Sequence, residues 1–202
     1  MIVDYYYSHL SPFAYLGHNV LLDLAQQSGL TINYKPLNLL KVFSETGGLP
    51  LGQRNPLRVA YRTVELKRWR EVRGLELNIE ARYFPTSPEL ADRTAITLAE
   101  SGGDVGHFSA LVFSAIWSMD KDIADKEVIA DLIAQVGSDP EDVFQRLDSF
   151  ALLYEQFTRE AIECGVFGAP AYVLNGEIFW GQDRLELLQQ AAQSNRPPFT
   201  SS

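Results

Sequence analysis

The chain of 202 residues contains a single cysteine, Cys164, and three histidines. One cysteine cannot form an intramolecular disulfide, and we expect Cys164 to be a small core residue. No Cys/His cluster in the sequence suggests a metal site. Because no Cys-x-x-Cys motif is present, the sequence also argues against thiol–disulfide exchange by this chain.

Basic residues are scarce relative to acidic ones: 17 Lys and Arg stand against 26 Asp and Glu, a net charge of −9. Because phosphate binding favours a basic face, this balance argues against nucleic acid and against an anionic membrane as partners. No apolar run approaches the roughly 20 residues needed to cross a bilayer. The N-terminus has no basic leader and reaches Asp4 at once, so we expect no signal peptide and a cytoplasmic protein.

The first forty residues have the pattern of a β-α-β unit. Aromatic and β-branched residues dominate 2–7 and predict a buried strand. After Ser11 and Pro12, apolar residues at near-helical spacing predict a helix that ends at Gly29. The stretch TINYKPLNL predicts a second strand, which would lie parallel to the first in one sheet.

Helical patterns then fill about a hundred residues. A Gly/Pro-rich connection, FSETGGLPLGQRNP, leads into a helix expected from Pro56 to Gly74. Further helix starts are predicted at Ser87 and Asp139, each of which precedes a proline. Near the end, Asn175-Gly176 joins two short apolar runs as a strong hairpin signal, and a closing helix follows.

This order of elements is that of an α/β, thioredoxin-like fold with a large all-helical insertion after the second strand. We predict a discontinuous thioredoxin-like domain over 1–40 and 155–195. The helical insertion domain would cover 41–154, and residues 196–202 would form a flexible tail.

Ser11 occupies the position of interest in such a fold, because thioredoxin-like folds place their reactive group at the N-terminus of the first helix. The free N–H groups and the helix dipole there stabilise an anion. A serine hydroxyl does not ionise near neutral pH, but it can donate a hydrogen bond to the thiolate of a bound thiol cofactor such as glutathione. The alternative is purely structural, since serine followed by proline is a common helix start.

The segment GVFGAPAYV contains the second candidate, Pro170, directly before a predicted strand. It suits a loop with a cis-proline that faces the first helix, where the backbone of Ala169 would pair with an extended peptide. The alternative is a proline that merely begins an edge strand.

Three motifs, SPFAYLG, GVFGAPAYV and FWGQDRLELL, resemble those of the 2-hydroxychromene-2-carboxylate isomerases and class kappa glutathione transferases of the DsbA-like thioredoxin superfamily. The resemblance covers essentially the whole chain. It implies glutathione as cofactor, with Ser11 activating its thiol and Ala169, beside Pro170, pairing with its backbone. Gln182 and Asp183 would bind the γ-glutamyl end. The resemblance also implies a homodimer and a role in the degradation of aromatic compounds.

Two departures from the family pattern concern the binding of small molecules. The family often has an asparagine that helps to hold glutathione where this chain has Gly48, and Arg54 and Asn55 offer a substitute. His9 lies two residues before Ser11 and invites a hydrolase interpretation, but no orienting acid or nucleophile elbow is evident in the sequence. We therefore expect His9 to be a pocket wall or a surface residue.

Seven of the 17 Lys and Arg lie between Arg54 and Arg73. One interpretation is a solvated helix face. The other is that arginines such as Arg58 line the cleft between the insertion and the thioredoxin-like part, where they suit an aromatic carboxylate. Its walls would be aromatic side chains: Phe13, Trp69 and Trp180.

The leading functional prediction is a glutathione-dependent isomerase that acts on an aromatic or chromene-like carboxylate. One alternative is a kappa-like glutathione transferase that conjugates electrophiles. Another is a thioredoxin-fold protein that binds glutathione without catalysis. A DsbA-like oxidoreductase conflicts with the missing cysteines.

Overall fold

A computed structural model describes residues 1–194 and 196–200 of the chain. Its strands form one mixed sheet in the order β2-β1-β3-β4: β1 (Ile2–Tyr7), β2 (Thr31–Pro36), β3 (Ala171–Leu174) and β4 (Glu177–Trp180). The β1–β2 pair is parallel, and β3 pairs antiparallel with both β1 and β4. The predicted β-α-β unit is confirmed. So is the hairpin, in which Asn175 and Gly176 have φ values of 53° and 86°.

The helices are α1 (Pro12–Ser28), α2 (Leu39–Thr46), α3 (Pro56–Arg73), α4 (Glu89–Glu100), α5 (Val105–Trp117), α6 (Lys126–Gln135), α7 (Pro140–Arg146), α8 (Ala151–Glu163) and α9 (Leu185–Gln193). Short 3-10 helices occupy Leu51–Gln53, Leu147–Phe150 and Gln182–Arg184. The predicted ends of α1 and α3 are confirmed, since Gly29 and Gly74 close these helices in the left-handed conformation. Helix α2 was not predicted, and Asn38 caps it by accepting from the Lys41 N–H.

The sheet and the helical insertion share one hydrophobic core. Helix α4 packs against β2, and α5 packs against α1. Fully buried aromatic side chains from both parts fill the space between them, among them Tyr5, Tyr7, Phe113 and Trp117. The thioredoxin-like fold with its helical insertion is therefore a single packed unit, and the division at residues 41 and 154 stays a prediction.

Two features at the C-terminal side differ from what the sequence suggests. Cys164 is exposed at the end of α8, so the expectation of a core cysteine is wrong. Arg196 forms two hydrogen bonds of 2.7 and 2.9 Å with the Glu177 carboxylate of β4, so this part of the predicted tail is held against the sheet. Residues 201 and 202 of that tail lie outside the described residues. In the part of the chain that the structure covers, no helix is both long and apolar enough to span a bilayer.

Candidate active site

Ser11 lies at the junction of β1 and α1 with an extended backbone. Its Oγ accepts a hydrogen bond from the Ala14 N–H at 3.2 Å, and Pro12 is the first helical residue, so Ser11 is the N-cap of α1. The same Oγ donates a hydrogen bond to the Ala169 carbonyl oxygen at 3.1 Å. Ser11 therefore caps α1 and also faces the loop that contains Pro170.

The Ala169–Pro170 peptide bond is cis, in agreement with the first of the two interpretations of GVFGAPAYV. The loop is fixed on both sides: the Ala169 oxygen accepts from Ser11, and the Pro170 oxygen accepts from the Gly181 N–H at 2.9 Å. Helix α1, the loop before β3 and the segment after β4 therefore meet at one place.

Gln182 and Asp183 begin the short 3-10 helix that follows β4. Gln182 is 2% exposed and packs on α1 so closely that a Cβ on Gly17 would lie 2.8 Å from its Cβ. Asp183 is half-exposed and pairs with Arg184 at 2.8 Å. Because Gly17 comes six residues after Ser11, Gln182 sits about 9 Å further along the α1 axis than the serine.

Arg73, which the sequence places only in the basic run, connects α3 with this segment. Its guanidinium donates to Gln182 Oε1 at 3.2 and 2.9 Å and to the Gln182 carbonyl oxygen at 3.2 Å. It also lies over the ring of Trp69, 4.9 Å from the centroid, so that this ring is partly covered. Trp180 is half-exposed and packs edge-on against Phe167. No sequence signal linked Arg73 to Gln182, which is 109 residues away.

The proposed substitutes for the family asparagine are partly engaged within the protein. Asn55 Oδ1 caps α3 by accepting from the Leu57 N–H at 2.9 Å. Arg54 Nε donates to the Leu49 carbonyl oxygen at 2.7 Å. A Cβ on Gly48 would clash with the Phe43 ring, so a side chain at 48 needs Phe43 to move.

The predicted pocket residues Phe13 and Arg58 differ in exposure. Phe13 is half-buried against the core in the first turn of α1. Arg58 is exposed on α3. Within residues 1–194 and 196–200, Arg58 has no hydrogen bond or ion pair to another side chain.

The expectation that His9 lines a pocket or the surface is wrong. His9 is 0% exposed, and its Nδ1 donates to Asp92 Oδ1 of α4 at 2.7 Å. Asp92 therefore orients the His9 ring, and no signal in the sequence pairs these two residues. Ser11 Oγ bonds to Ala14 and Ala169 rather than to His9, so the three residues do not form a hydrolytic triad.

The DsbA-like thioredoxin domain model matches residues 2–193. The chain is 35% identical over 198 residues to the 2-hydroxychromene-2-carboxylate isomerase of Pseudomonas putida, covering 95% of this chain and 94% of that protein. A solved structure of 2-hydroxychromene-2-carboxylate isomerase superposes with a TM-score of 0.77 at 28% identity, covering 95% and 94% of the two chains. Human glutathione S-transferase kappa 1 is 22% identical, with 92% of this chain and 88% of that protein covered.

These matches identify the class first: a protein of the DsbA-like thioredoxin superfamily. Within that class, the chain belongs to the family of the 2-hydroxychromene-2-carboxylate isomerases and class kappa glutathione transferases. The named relatives are an isomerase and a transferase, which supports an enzymatic function for this chain.

Proposed function

We propose that the protein is a glutathione-dependent isomerase that acts on an aromatic or chromene-like carboxylate. The observation that carries the proposal is the position of Ser11 Oγ. It lies at the N-terminus of α1, 3.1 Å from the Ala169 oxygen beside Pro170, in a chain that has no cysteine there. An attacking sulfur must therefore come from a bound thiol.

The residues present fit glutathione. Gln182 lies about 9 Å along α1 from Ser11, a distance within the roughly 10 Å reach of an extended tripeptide, and Asp183 is the next residue in the chain. The Asp183 carboxylate is half-exposed and suits the α-ammonium group of the γ-glutamyl end. Arg73 holds Gln182 in place, and Arg54 and Asn55 would contact the other end of the tripeptide.

Catalysis requires the Ser11 hydroxyl to turn from the Ala169 oxygen toward the sulfur. The Ala14 N–H keeps Oγ in position during this turn, because it donates to the same oxygen. Phe13 is in the first turn of α1, where backbone N–H groups have no carbonyl partner within the helix. When bound, glutathione would supply a nucleophile that adds reversibly to an electrophilic carbon of the substrate, permits rotation, and leaves unchanged.

A kappa-like transferase is the second candidate, supported by the match to human glutathione S-transferase kappa 1. Product analysis separates the two, because an isomerase consumes no glutathione and a transferase releases an adduct. A protein that only binds glutathione would show binding in calorimetry and no turnover. The cytoplasmic location and the homodimer implied by the resemblance stay predictions.

The test of the proposed function is Ser11→Ala. We expect glutathione-dependent turnover at pH 7 to fall about tenfold, because one fewer hydrogen bond raises the pKa of the bound thiol by about one unit. The variant also loses a helix cap, which is worth about 1 kcal/mol of stability. Asp125→Ala, which removes the cap of α6 far from the site, is the matched control for that loss.

Full activity of Ser11→Ala would refute the assigned role of the serine. Absence of glutathione binding to the wild-type protein at millimolar concentration would refute every glutathione-dependent proposal. An insulin-reduction assay is expected to be blank, and turnover there would favour an oxidoreductase instead.

A further inference from the structure

We propose that Arg62, which lies near the rings of Phe13 and Phe84, binds the carboxylate of the aromatic substrate. This inference rests on the proposed function and adds the residue that selects acids over neutral electrophiles. Arg62 belongs to the basic run of α3, but the sequence gives no reason to choose it over Arg54 or Arg58.

The position of Arg62 connects it with the candidate active site. Its guanidinium carbon lies 6.0 Å from the centroid of the Phe13 ring and 5.9 Å from that of Phe84. Phe13 is in the first turn of α1, two residues after Ser11. Phe84 belongs to the segment between α3 and α4. The cation therefore stands where the insertion meets the N-terminus of α1.

Arg62 is half-buried and has no protein oxygen as a partner among residues 1–194 and 196–200. Other half-buried arginines do have one: Arg73 donates to Gln182, Arg93 to Asp148 and Arg196 to Glu177. The side-chain nitrogen atoms of Arg62 keep some solvent-accessible surface in the described chain, so an incoming ligand can reach them.

The surroundings of Arg62 favour an anion. Burial, followed by the nearby charge of Arg54, lowers the pKa of Arg62 to about 10. Burial, followed by the charge of Arg58, lowers the pKa of Arg54 as well. Glu65, the nearest acid along the helix, pairs with Arg68 instead. A half-buried cation without a counter-ion is unfavourable, and a bound carboxylate would supply the missing charge and two acceptor oxygens.

The two phenyl rings favour an aromatic acid over the glycine carboxylate of glutathione as the ligand. A planar guanidinium flanked by rings can pair edge-on with a carboxylate while the flat body of the ligand packs against Phe13 or Phe84. Glutathione carries no ring that could pack against them. The arginine and the two rings together therefore favour a flat acid.

The experiment measures binding of cinnamate and of its neutral analogue cinnamamide to the full-length protein by calorimetry. We expect the wild-type protein to bind cinnamate at least about tenfold more tightly than cinnamamide, since hydrogen bonds to a charged group contribute roughly 1.5–3 kcal/mol. Arg62→Met should weaken cinnamate binding about 10- to 100-fold and leave cinnamamide binding nearly unchanged. Arg62→Lys should retain part of the preference. Lys67→Met, which removes an exposed charge from the same helix, should behave as wild type.

Two results would overturn the assignment: equal cinnamate affinity in Arg62→Met and the wild type, or a loss of glutathione affinity in Arg62→Met. The second would make Arg62 a glutathione contact. Because cinnamate binding is measured without glutathione, failure of the proposed function, seen as no glutathione binding to the wild type, is distinguishable from failure of this inference.

Discussion

Asp92 is the centre of a fully buried hydrogen-bond network that fixes the loop before Ser11. Its carboxylate accepts from Ser8 Oγ at 3.0 Å, the His9 N–H at 3.1 Å, His9 Nδ1 at 2.7 Å and the Tyr154 hydroxyl at 3.3 Å. The Ser8 carbonyl oxygen in turn accepts from the Ser11 N–H at 2.9 Å. Asp92→Ala removes the carboxylate that accepts from all four of these donors of Ser8, His9 and Tyr154.

The stability lost in Asp92→Ala follows from the buried donors that remain without an acceptor. Ser8, His9 and Tyr154 would keep buried donors without acceptors, and each unsatisfied buried group costs about 1–3 kcal/mol. Partial relaxation and water entry limit the sum over these donors, so we expect a loss of roughly 3–5 kcal/mol. Asp92→Asn should cost only about 1–2 kcal/mol. It keeps one oxygen for the two His9 donors, and the hydroxyls of Ser8 and Tyr154 can turn to accept.

Urea denaturation at pH 7 checks this order, with Asp131→Ala, at an exposed position of α6, as the matched control. A loss of 3 kcal/mol or more is a large part of the roughly 5–15 kcal/mol that stabilises a typical domain. The reasoning is refuted if Asp92→Ala unfolds within about 1 kcal/mol of the wild type at an unchanged m value. It is also refuted if Asp92→Asn is the more destabilised of the two.

Two further predictions concern the region around α1. Burial lowers the pKa of His18 to about 4, so His18 favours the folded state above pH 6.5 and this contribution is lost as the pH falls toward 4. Between pH 7 and pH 4.5, the free energy of unfolding of the wild type in urea should therefore fall by about 2 kcal/mol more than that of His18→Gln. Equal decreases in the two proteins would contradict the assignment. Gly17→Ala should cost about 1–3 kcal/mol and weaken glutathione binding in calorimetry, because the new Cβ would meet Gln182. Gly52→Ala, which meets nothing within 4 Å, is its control, and equal stability of the two variants would count against the close packing.

The elements that the sequence predicts correctly are those with local signals. Gly29 ends α1, and Asn175 with Gly176 turns the hairpin, because each of these residues favours a backbone conformation that the turn requires. Helix α2 was missed because the glycines and prolines after residue 46 dominate the pattern there. Asn38, the N-cap of α2, is the one local signal in the sequence for where this helix begins.

The sequence predicts a contact in the candidate site only where the order of strands and helices in the fold class already places the two residues side by side. Ser11 and Ala169 are 158 residues apart, yet the thioredoxin order of elements places the first helix opposite the loop before β3. No such rule pairs His9 with Asp92. A histidine two residues from a candidate catalytic serine suggests an exposed site. In the structure His9 is instead held in the core by Asp92, which lies on α4 of the insertion.

The bond from Ser11 to Ala169 bears on how much the serine can activate a thiol. Its single hydroxyl hydrogen is already donated, so a thiolate gains only the difference between a charge-assisted bond of roughly 1.5–3 kcal/mol and a neutral one of roughly 0.5–1.5. That difference of about 1 kcal/mol lowers the pKa of a bound thiol by about one unit from its usual 8.5 or so. A neutral thiol gains nothing by the exchange, so the serine favours the anion specifically. The Ser11→Ala defect should therefore shrink when the pH is raised above the pKa of the bound thiol, and a defect that is equally large at pH 9 would show that Ser11 acts in another way.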